Sequence, residues 1–319
     1  MELPPLLRQG VDDALAGTPL ADLSRAAGAL SARYRAEVRD GRFHLSDDLA
    51  ARAYLATRLP ATYAAIRAAM EAVAEGRPDF APASLLDLGA GPGSALWAAA
   101  ECWPHLQNAL LIEGSAAIRA WGERLAAALA LSVEWREGDV AGNLPDFAPR
   151  DLVTLAYVLD ELDPQARGPL IDRLWALTGD TLLIVEPGTP AGWERVLAAR
   201  ARLIASGAHL IAPCPHALAC PLVAPDWCHF SRRVARSRLH RQAKGAEVPW
   251  EDEKFIYIAA SRHPAAHLSA RVIAPPRAGS GQVRLKLCLE KGAAEERLYT
   301  KRDGAAFKAA RRADWGEAL

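Results

Sequence analysis

The chain has 319 residues with 38 Lys+Arg, 38 Asp+Glu, five cysteines and 51% hydrophobic residues. This is a soluble globular composition with enough apolar residues for a large core. No apolar run reaches the ~18–20 residues of a membrane span. Met1-Glu2-Leu3-Pro4-Pro5 lacks a basic segment leading into an apolar one, so no secretory signal is expected. An odd cysteine count without an export signal argues against a disulfide framework and for thiols or metal. The expectation is a cytoplasmic protein of bacterial type, monomeric when free, with no membrane partner.

The neutral total hides a division. Residues 1–228 hold 19 Lys+Arg against 28 Asp+Glu, while residues 229–319 hold 19 against 10. Lysine is absent until Lys244. Such asymmetry points to an anionic partner for the basic part, or simply to a solubilising face.

Residues 1–80 read as a helical domain. Leu20, Leu23, Ala27, Leu30 and Tyr34 fall at helical spacing. Ser46-Asp47-Asp48 resembles a helix start, and Pro60 separates that helix from one over Ala61–Ala74. No catalytic constellation is visible there, and the segment reads as a cap on the substrate side.

Strands and helices alternate from Ser84. The predicted strands are Ser84–Leu88, Ala109–Glu113, Val133–Arg136, Leu152–Tyr157 and Thr181–Glu186. The predicted helices are Ser94–Cys102, Ala116–Leu129, Gln165–Leu177 and about Gly192–Ser206. This rhythm implies a parallel, doubly wound α/β sheet. Residues 207–250 interrupt it with Pro, Cys, His and Arg, and Phe255–Ala260 reads as one more buried strand. The proposed domain thus spans 81–262 with a Cys-rich insert. The tail, 263–319, reads as a hairpin over Val283–Leu289 and Arg297–Thr300 followed by a basic helix, Ala305–Ala313.

The strongest local motif is Asp87-Leu88-Gly89-Ala90-Gly91-Pro92-Gly93-Ser94, in the order strand, glycine turn, helix. Glycines let a ligand approach the backbone, and the helix start offers free N–H groups. A dinucleotide site wants Gly-x-Gly-x-x-Gly/Ala, and here the third position is Ser. The segment resembles the first motif of class I S-adenosylmethionine-dependent methyltransferases, whose fold is Rossmann-like. That resemblance implies a cofactor site at Asp87, Gly89, Ala90, Gly91 and Gly93. It places ribose recognition on Glu113, next to Gly114, and adenine contact on Asp139 and Val140. Carboxylates suit ribose because they accept from two hydroxyls.

The fourth strand ends in Tyr157-Val158-Leu159-Asp160-Glu161, at the sheet end that the resemblance turns toward cofactor and acceptor. Tyr157 is assigned to the cofactor. Asp160 and Glu161 are the candidate catalytic acids, placed to orient an acceptor, to take a proton, or to cap the next helix. The Asn/Asp-Pro-Pro-aromatic motif of amino-group nucleic-acid methyltransferases is absent.

Cys214, Cys220, Cys228 and Cys288 lie outside the alternating region, whereas Cys102 reads as a small core residue. Their spacing is not the tight Cys-x-x-Cys knuckle of most structural zinc sites. Four thiolates together need a metal to offset their repulsion, which suits zinc or an iron–sulfur cluster. His216 and His229 are alternative ligands. After Cys228 come Arg232, Arg233, Arg236, Arg238, Arg241 and Lys244 with no carboxylate between them. These suit phosphate contact, RNA before DNA because no groove-reading motif is present, or a solvated helix face.

Cys214-Pro215-His216, Cys220-Pro221-Leu222, Trp227-Cys228-His229-Phe230-Ser231 and Trp250-Glu251-Asp252-Glu253-Lys254-Phe255 form a distinctive set. With Val272–Arg277, Leu287-Cys288 and Lys301-Arg302-Asp303-Gly304, they resemble the methyltransferase-like small-ribosomal-subunit assembly factors of bacteria and mitochondria. The likeness covers about residues 45 to 316. It implies a [4Fe-4S] cluster on Cys214, Cys220, Cys228 and Cys288 and association with small-subunit rRNA. Three readings follow: an S-adenosylmethionine-dependent rRNA methyltransferase, a non-catalytic assembly factor, or a small-molecule methyltransferase with structural zinc.

Overall fold

The structure, a computed structural model, describes residues 1–36, 44–140, 142 and 146–319. Four helices open it: α1 (Pro5–Leu15), α2 (Leu20–Arg35), α3 (Asp48–Thr57) and α4 (Leu59–Gly76). The Asp47 side chain accepts from Ala50 N at 2.9 Å and starts α3, while Pro60 sits in the first turn of α4, where its missing N–H costs nothing. Leu23, Ala27 and Leu30 form the buried stripe of α2.

The alternating region follows as β1 (Ser84–Leu88), α5 (Ser94–Cys102), β2 (Asn108–Ile112), α6 (Ala116–Ala126), β3 (Ser132–Arg136), β4 (Arg150–Ala156), α7 (Pro164–Ala176), β5 (Thr178–Pro187) and α8 (Pro190–Ala205). Then come β6 (His209–Ala212), β7 (Phe230–Ala235), α9 (Arg238–Lys244) and β8 (Trp250–Ser261). The sheet order is β3-β2-β1-β4-β5-β8-β6, with β7 also paired to β8. This is the class I methyltransferase α/β fold expected from the sequence. The strand order reverses between β1 and β4, and a crevice opens beyond their carboxyl ends.

One detail is corrected. The sheet is mixed, because β8 runs antiparallel to β5, β6 and β7. The expected strand over 255–260 is only the buried half of β8. Its first half, Trp250–Lys254, alternates exposed and half-buried residues and carries β7 as its partner. Charged residues at those positions conceal the strand from a hydrophobicity reading.

The tail forms a second sheet from β9 (Ala270–Val272), β10 (Arg277–Gly279), β11 (Gln282–Leu289) and β12 (Ala294–Thr300). A 3-10 turn (Lys301–Asp303) leads into α10 (Ala305–Arg312). Val283, Leu285 and Leu287 alternate along β11 and pack against Phe307 and Ala310 of α10. Arg271, only 2% exposed, ties the tail to the body, with Nε donating to Pro213 O at 3.0 Å.

Candidate functional site

A chamber of about 630 Å³ lies beyond the ends of β1 and β4. Two glycines shape its floor. Gly89 takes a φ of 66°, and a Cβ there would stand 2.5 Å from Val158 Cγ2. Gly91 takes a φ of 55° with open space where a Cβ would point. Left-handed backbone and close approach both call for glycine. The Glu113 carboxylate spans the turn: Oε2 accepts from Gly91 N and Oε1 from Ser115 N, each at 2.8 Å. Burial pushes its pKa up and the amide bonds pull it down, with a net rise. Each oxygen keeps a further lone pair for a ligand hydroxyl.

Gly89, Gly91, Glu113, Gly114, Asp139, Val140, Tyr157, Asp160 and Glu161 all line this chamber. Asp87, Ala90 and Gly93 are not among its lining residues. Asp87 lies beneath the turn, where it accepts from Thr154 Oγ1 at 2.6 Å and joins β1 to β4. Burial raises its pKa to about 7, against the Thr154 hydrogen bond. Gly93, with a φ of 85°, precedes the first turn of α5.

The opposite wall comes from Tyr34, His44, Tyr54 and Arg58 of the helical segment, with Glu253 of β8. Sequence reasoning gave none of the five a site role: Tyr34 reads as part of a helical stripe, Glu253 as part of the Trp250–Phe255 motif, and His44, Tyr54 and Arg58 lie in stretches without a motif. Tyr157 has a φ of 59°, rare for a residue other than glycine. Its hydroxyl donates to Glu253 Oε1 at 3.1 Å, and Arg58 Nη2 donates to the same oxygen at 3.3 Å. Arg33 Nε donates to His44 Nδ1 at 3.0 Å, and His44 Nε2 lies 3.9 Å from Glu161 Oε1. Burial, then the neighbouring Asp160, pushes Glu161 up to about 8. Glu186, fully buried behind it, accepts from Leu159 N at 3.0 Å and from Arg195 Nε at 2.7 Å. Burial and Asp160 push the pKa of Glu186 up, against the Arg195 guanidinium and the Leu159 amide that pull it down.

A second cavity, on the side of β8 covered by α8, brings Cys214, Cys220, Cys228 and Cys288 together within apolar walls that include Trp193, Val196, Ile256 and Ile273. Burial raises the pKa of Cys214 and Cys228 and pushes Cys288 to about 12. Among the described residues, no group of three or more His, Cys, Asp or Glu is placed to hold a metal ion. Two buried cations line the cavity, Arg200 and Arg271. Arg200 Nη2 donates to His216 O at 2.8 Å and Leu218 O at 2.7 Å, while its buried Nε has no hydrogen-bond partner. Cys288 Sγ lies 3.5 Å from His216 Nε2. His229 is set apart, stacked on Trp227 and edge-on to Trp315. Cys102 contacts Arg67 instead, 2.6 Å from Nη1.

The basic run divides between β7 and α9, and tertiary structure supplies the acids that its sequence lacks. Arg232 pairs with Glu71 at 2.7 Å, Arg233 with Asp252 at 2.9 Å and Arg236 with Glu251 at 2.9 Å. Lys244 pairs with Glu251 at 3.0 Å and lines the chamber. Arg238 and Arg241 have no ion pair among the described residues. The run is therefore mostly charge-compensated.

The chain is 30% identical over 286 residues to the human "Ribosome assembly protein METTL17, mitochondrial", covering 83% of this chain and 61% of that one. It is 23% identical over 318 residues to the "Rsm22-cox11 tandem protein 2, mitochondrial" of Schizosaccharomyces pombe, covering 83% and 42%. The chain thus spans less than two thirds of the length of these relatives. Among solved structures, it is similar to an O-methyltransferase family protein from Burkholderia thailandensis, at 14% identity and a TM-score of 0.46, covering 77% of this chain and 72% of that one. The relatives are mitochondrial proteins, which overturns the expectation of a bacterial-type cytoplasmic protein. A family model described as "Mitochondrial small ribosomal subunit Rsm22" matches residues 48–319, and the chain belongs to that family.

Proposed function

We propose that the chain binds S-adenosylmethionine in the chamber beyond β1 and β4 and serves the small ribosomal subunit as a methyltransferase-like assembly factor, with rRNA as its partner. The observation that carries this reading is the Glu113 carboxylate. It ties the glycine turn, through the Gly91 amide, to its own loop, through the Ser115 amide, and still lines the chamber with lone pairs suited to ribose hydroxyls. Bound there, S-adenosylmethionine supplies an electrophilic methyl group. The chain's own contribution is to hold an acceptor in line with it. Glu161 keeps its proton to about pH 8 and takes one from an acceptor above that pH.

The four cysteines form the second half of the proposal, as ligands of a [4Fe-4S] cluster. Four cysteines that line one apolar cavity suit an iron–sulfur cluster. Arg200 and Arg271 suit an anionic group, and the unpartnered Arg200 Nε gives one a donor. Such a cluster would supply a covalent link between the insert and the tail.

A non-catalytic role is the second reading. It is favoured by the acceptor wall, where Tyr157 and Arg58 both already bond Glu253. Replacing the gene by Glu113→Ala and Cys220→Ser forms separates the two. Small-subunit rRNA methylation that disappears in Glu113→Ala supports catalysis. Normal methylation and assembly in Glu113→Ala, with failed assembly in Cys220→Ser, supports the non-catalytic role. Normal subunit assembly in both strains contradicts the proposal.

A further inference from the structure

Residues 263–319 carry eleven Lys+Arg against six Asp+Glu. Every one of those six acids is engaged. Glu290 faces His267, Glu295 takes Lys291 and Arg297, and Glu296 takes Arg277 and Arg284. Asp303 accepts from Thr300 N and Oγ1, Asp314 from Trp315 N and Glu317 from Asp314 N. Arg271 and Lys286 are paired with Glu75 and Asp226 of the body. Five cations remain with no ion pair among the described residues: Lys301, Arg302, Lys308, Arg311 and Arg312. All five are exposed, and all fall in the 3-10 turn and α10.

Their clustering has a structural cause. Phe307 and Ala310 bury one side of α10 against β11, so the rest of the helix faces outward. Lys308 and Arg312 stand one turn apart, about 6 Å along the axis. The capping of Asp303 by Thr300 holds the turn that carries Lys301 and Arg302. A bilayer-binding helix needs an exposed apolar face, and a protein interface needs an apolar centre. The one large apolar side chain of α10, Phe307, is already buried in the tail's own core, and the apolar residues that α10 leaves exposed are Ala305, Ala306 and Ala309. Five unpaired cations among small alanines on a rigid support suit a phosphate backbone.

We propose that the 3-10 turn and α10 are the RNA-gripping surface, through Lys301, Arg302, Lys308, Arg311 and Arg312, in place of the compensated run over β7 and α9. This rests on the small-subunit reading above and adds the surface to it.

The test uses the full chain and a short fluorescent single-stranded RNA, titrated between about 50 and 200 mM salt. A variant with Arg302→Ala, Lys308→Ala, Arg311→Ala and Arg312→Ala is compared with Arg233→Ala/Arg236→Ala and with the charge-keeping Arg302→Lys/Arg311→Lys/Arg312→Lys. All substituted α10 and turn positions are exposed, so thermal melting should match the wild type. The alanine tail variant is expected to lose about tenfold or more in affinity and to flatten the log–log salt slope by about 3. The other two variants should keep the slope. A tail variant that binds like the wild type, or a larger loss from Arg233→Ala/Arg236→Ala, overturns the assignment while leaving the ribosomal reading intact. A wild-type chain that binds phosphatidylserine vesicles but no RNA overturns the assignment and the rRNA partnership together.

Discussion

Trp227 donates its indole N–H to the carbonyl of Gly188 at 3.1 Å. Trp227 immediately precedes Cys228, and Gly188 lies between Pro187 and Thr189, which line the chamber. Gly188 N in turn donates to Lys254 O at 2.9 Å, and a Cβ at Gly188 would stand 2.7 Å from the Lys254 carbonyl carbon. The four-cysteine site therefore rests against the rim of the chamber through one hydrogen bond and a tightly packed glycine. Helix α8 adds a second connection, with Arg195 at the chamber and Arg200 at the cysteines.

Trp227→Phe keeps the ring stack with His229 and removes the indole donor. Leaving the Gly188 carbonyl unpaired costs about 1–3 kcal/mol. S-adenosylhomocysteine affinity is expected to fall severalfold in calorimetry while iron per chain is unchanged. Undiminished affinity would mean that the rim does not depend on this bond.

Arg200→Met removes the cation that lines the cysteine cavity and braces His216 O and Leu218 O. Chains purified without oxygen should then hold less iron and sulfide than the wild type, with Arg200→Lys in between. Equal metal content in all three would show that the buried guanidinium does not support the site.

Gly89→Ala forces a Cβ to within 2.5 Å of Val158 Cγ2 at a positive φ. Overpacking and backbone strain together should cost about 2–4 kcal/mol, read as a lower urea midpoint with an unchanged slope. Gly91→Ala has room for its Cβ and bears only the backbone cost, so it should be the milder change. The reverse order would place the close contact elsewhere.

The turn, Glu113 and Asp139 were legible because each ends a successive strand, so chain order alone brings them together. The cysteines were legible as a set, although their common cavity comes from the fold. The far wall was not. Tyr34, Tyr54, Arg58 and Glu253 meet only through the packing of α2 on α3, of α3 on α4 and of α4 on β8. The charge on the basic run was misjudged for the same reason, since the Glu71 that compensates Arg232 lies 161 residues away. Strand β7 was hidden by the arginines that those acids neutralise.

His240 is 1% exposed, and its Nε2 lies 3.5 Å from Glu251 Oε1, with Lys244, Arg236 and Arg58 nearby. Burial lowers its pKa from 6.5 to about 4. The unfolded chain therefore binds a proton more readily between these values. This contribution to stability is complete above about pH 6.5 and is lost as pH falls toward 4, roughly 3 kcal/mol in all. His240→Phe should flatten that fall in chemical denaturation. Parallel curves for the two chains would assign the acid sensitivity to other groups.

The proposed function puts S-adenosylmethionine in the chamber, held on Glu113. Calorimetric titration of the full chain with S-adenosylmethionine tests it most directly. One site per chain is expected, strengthening as pH rises through about 8, where Glu161 loses its proton and a carboxylate joins the chamber that receives the sulfonium. Glu113→Ala should weaken binding by about tenfold or more, the worth of hydrogen bonds to a charged group. No binding by the wild type, or equal binding by Glu113→Ala, would contradict a cofactor site on Glu113.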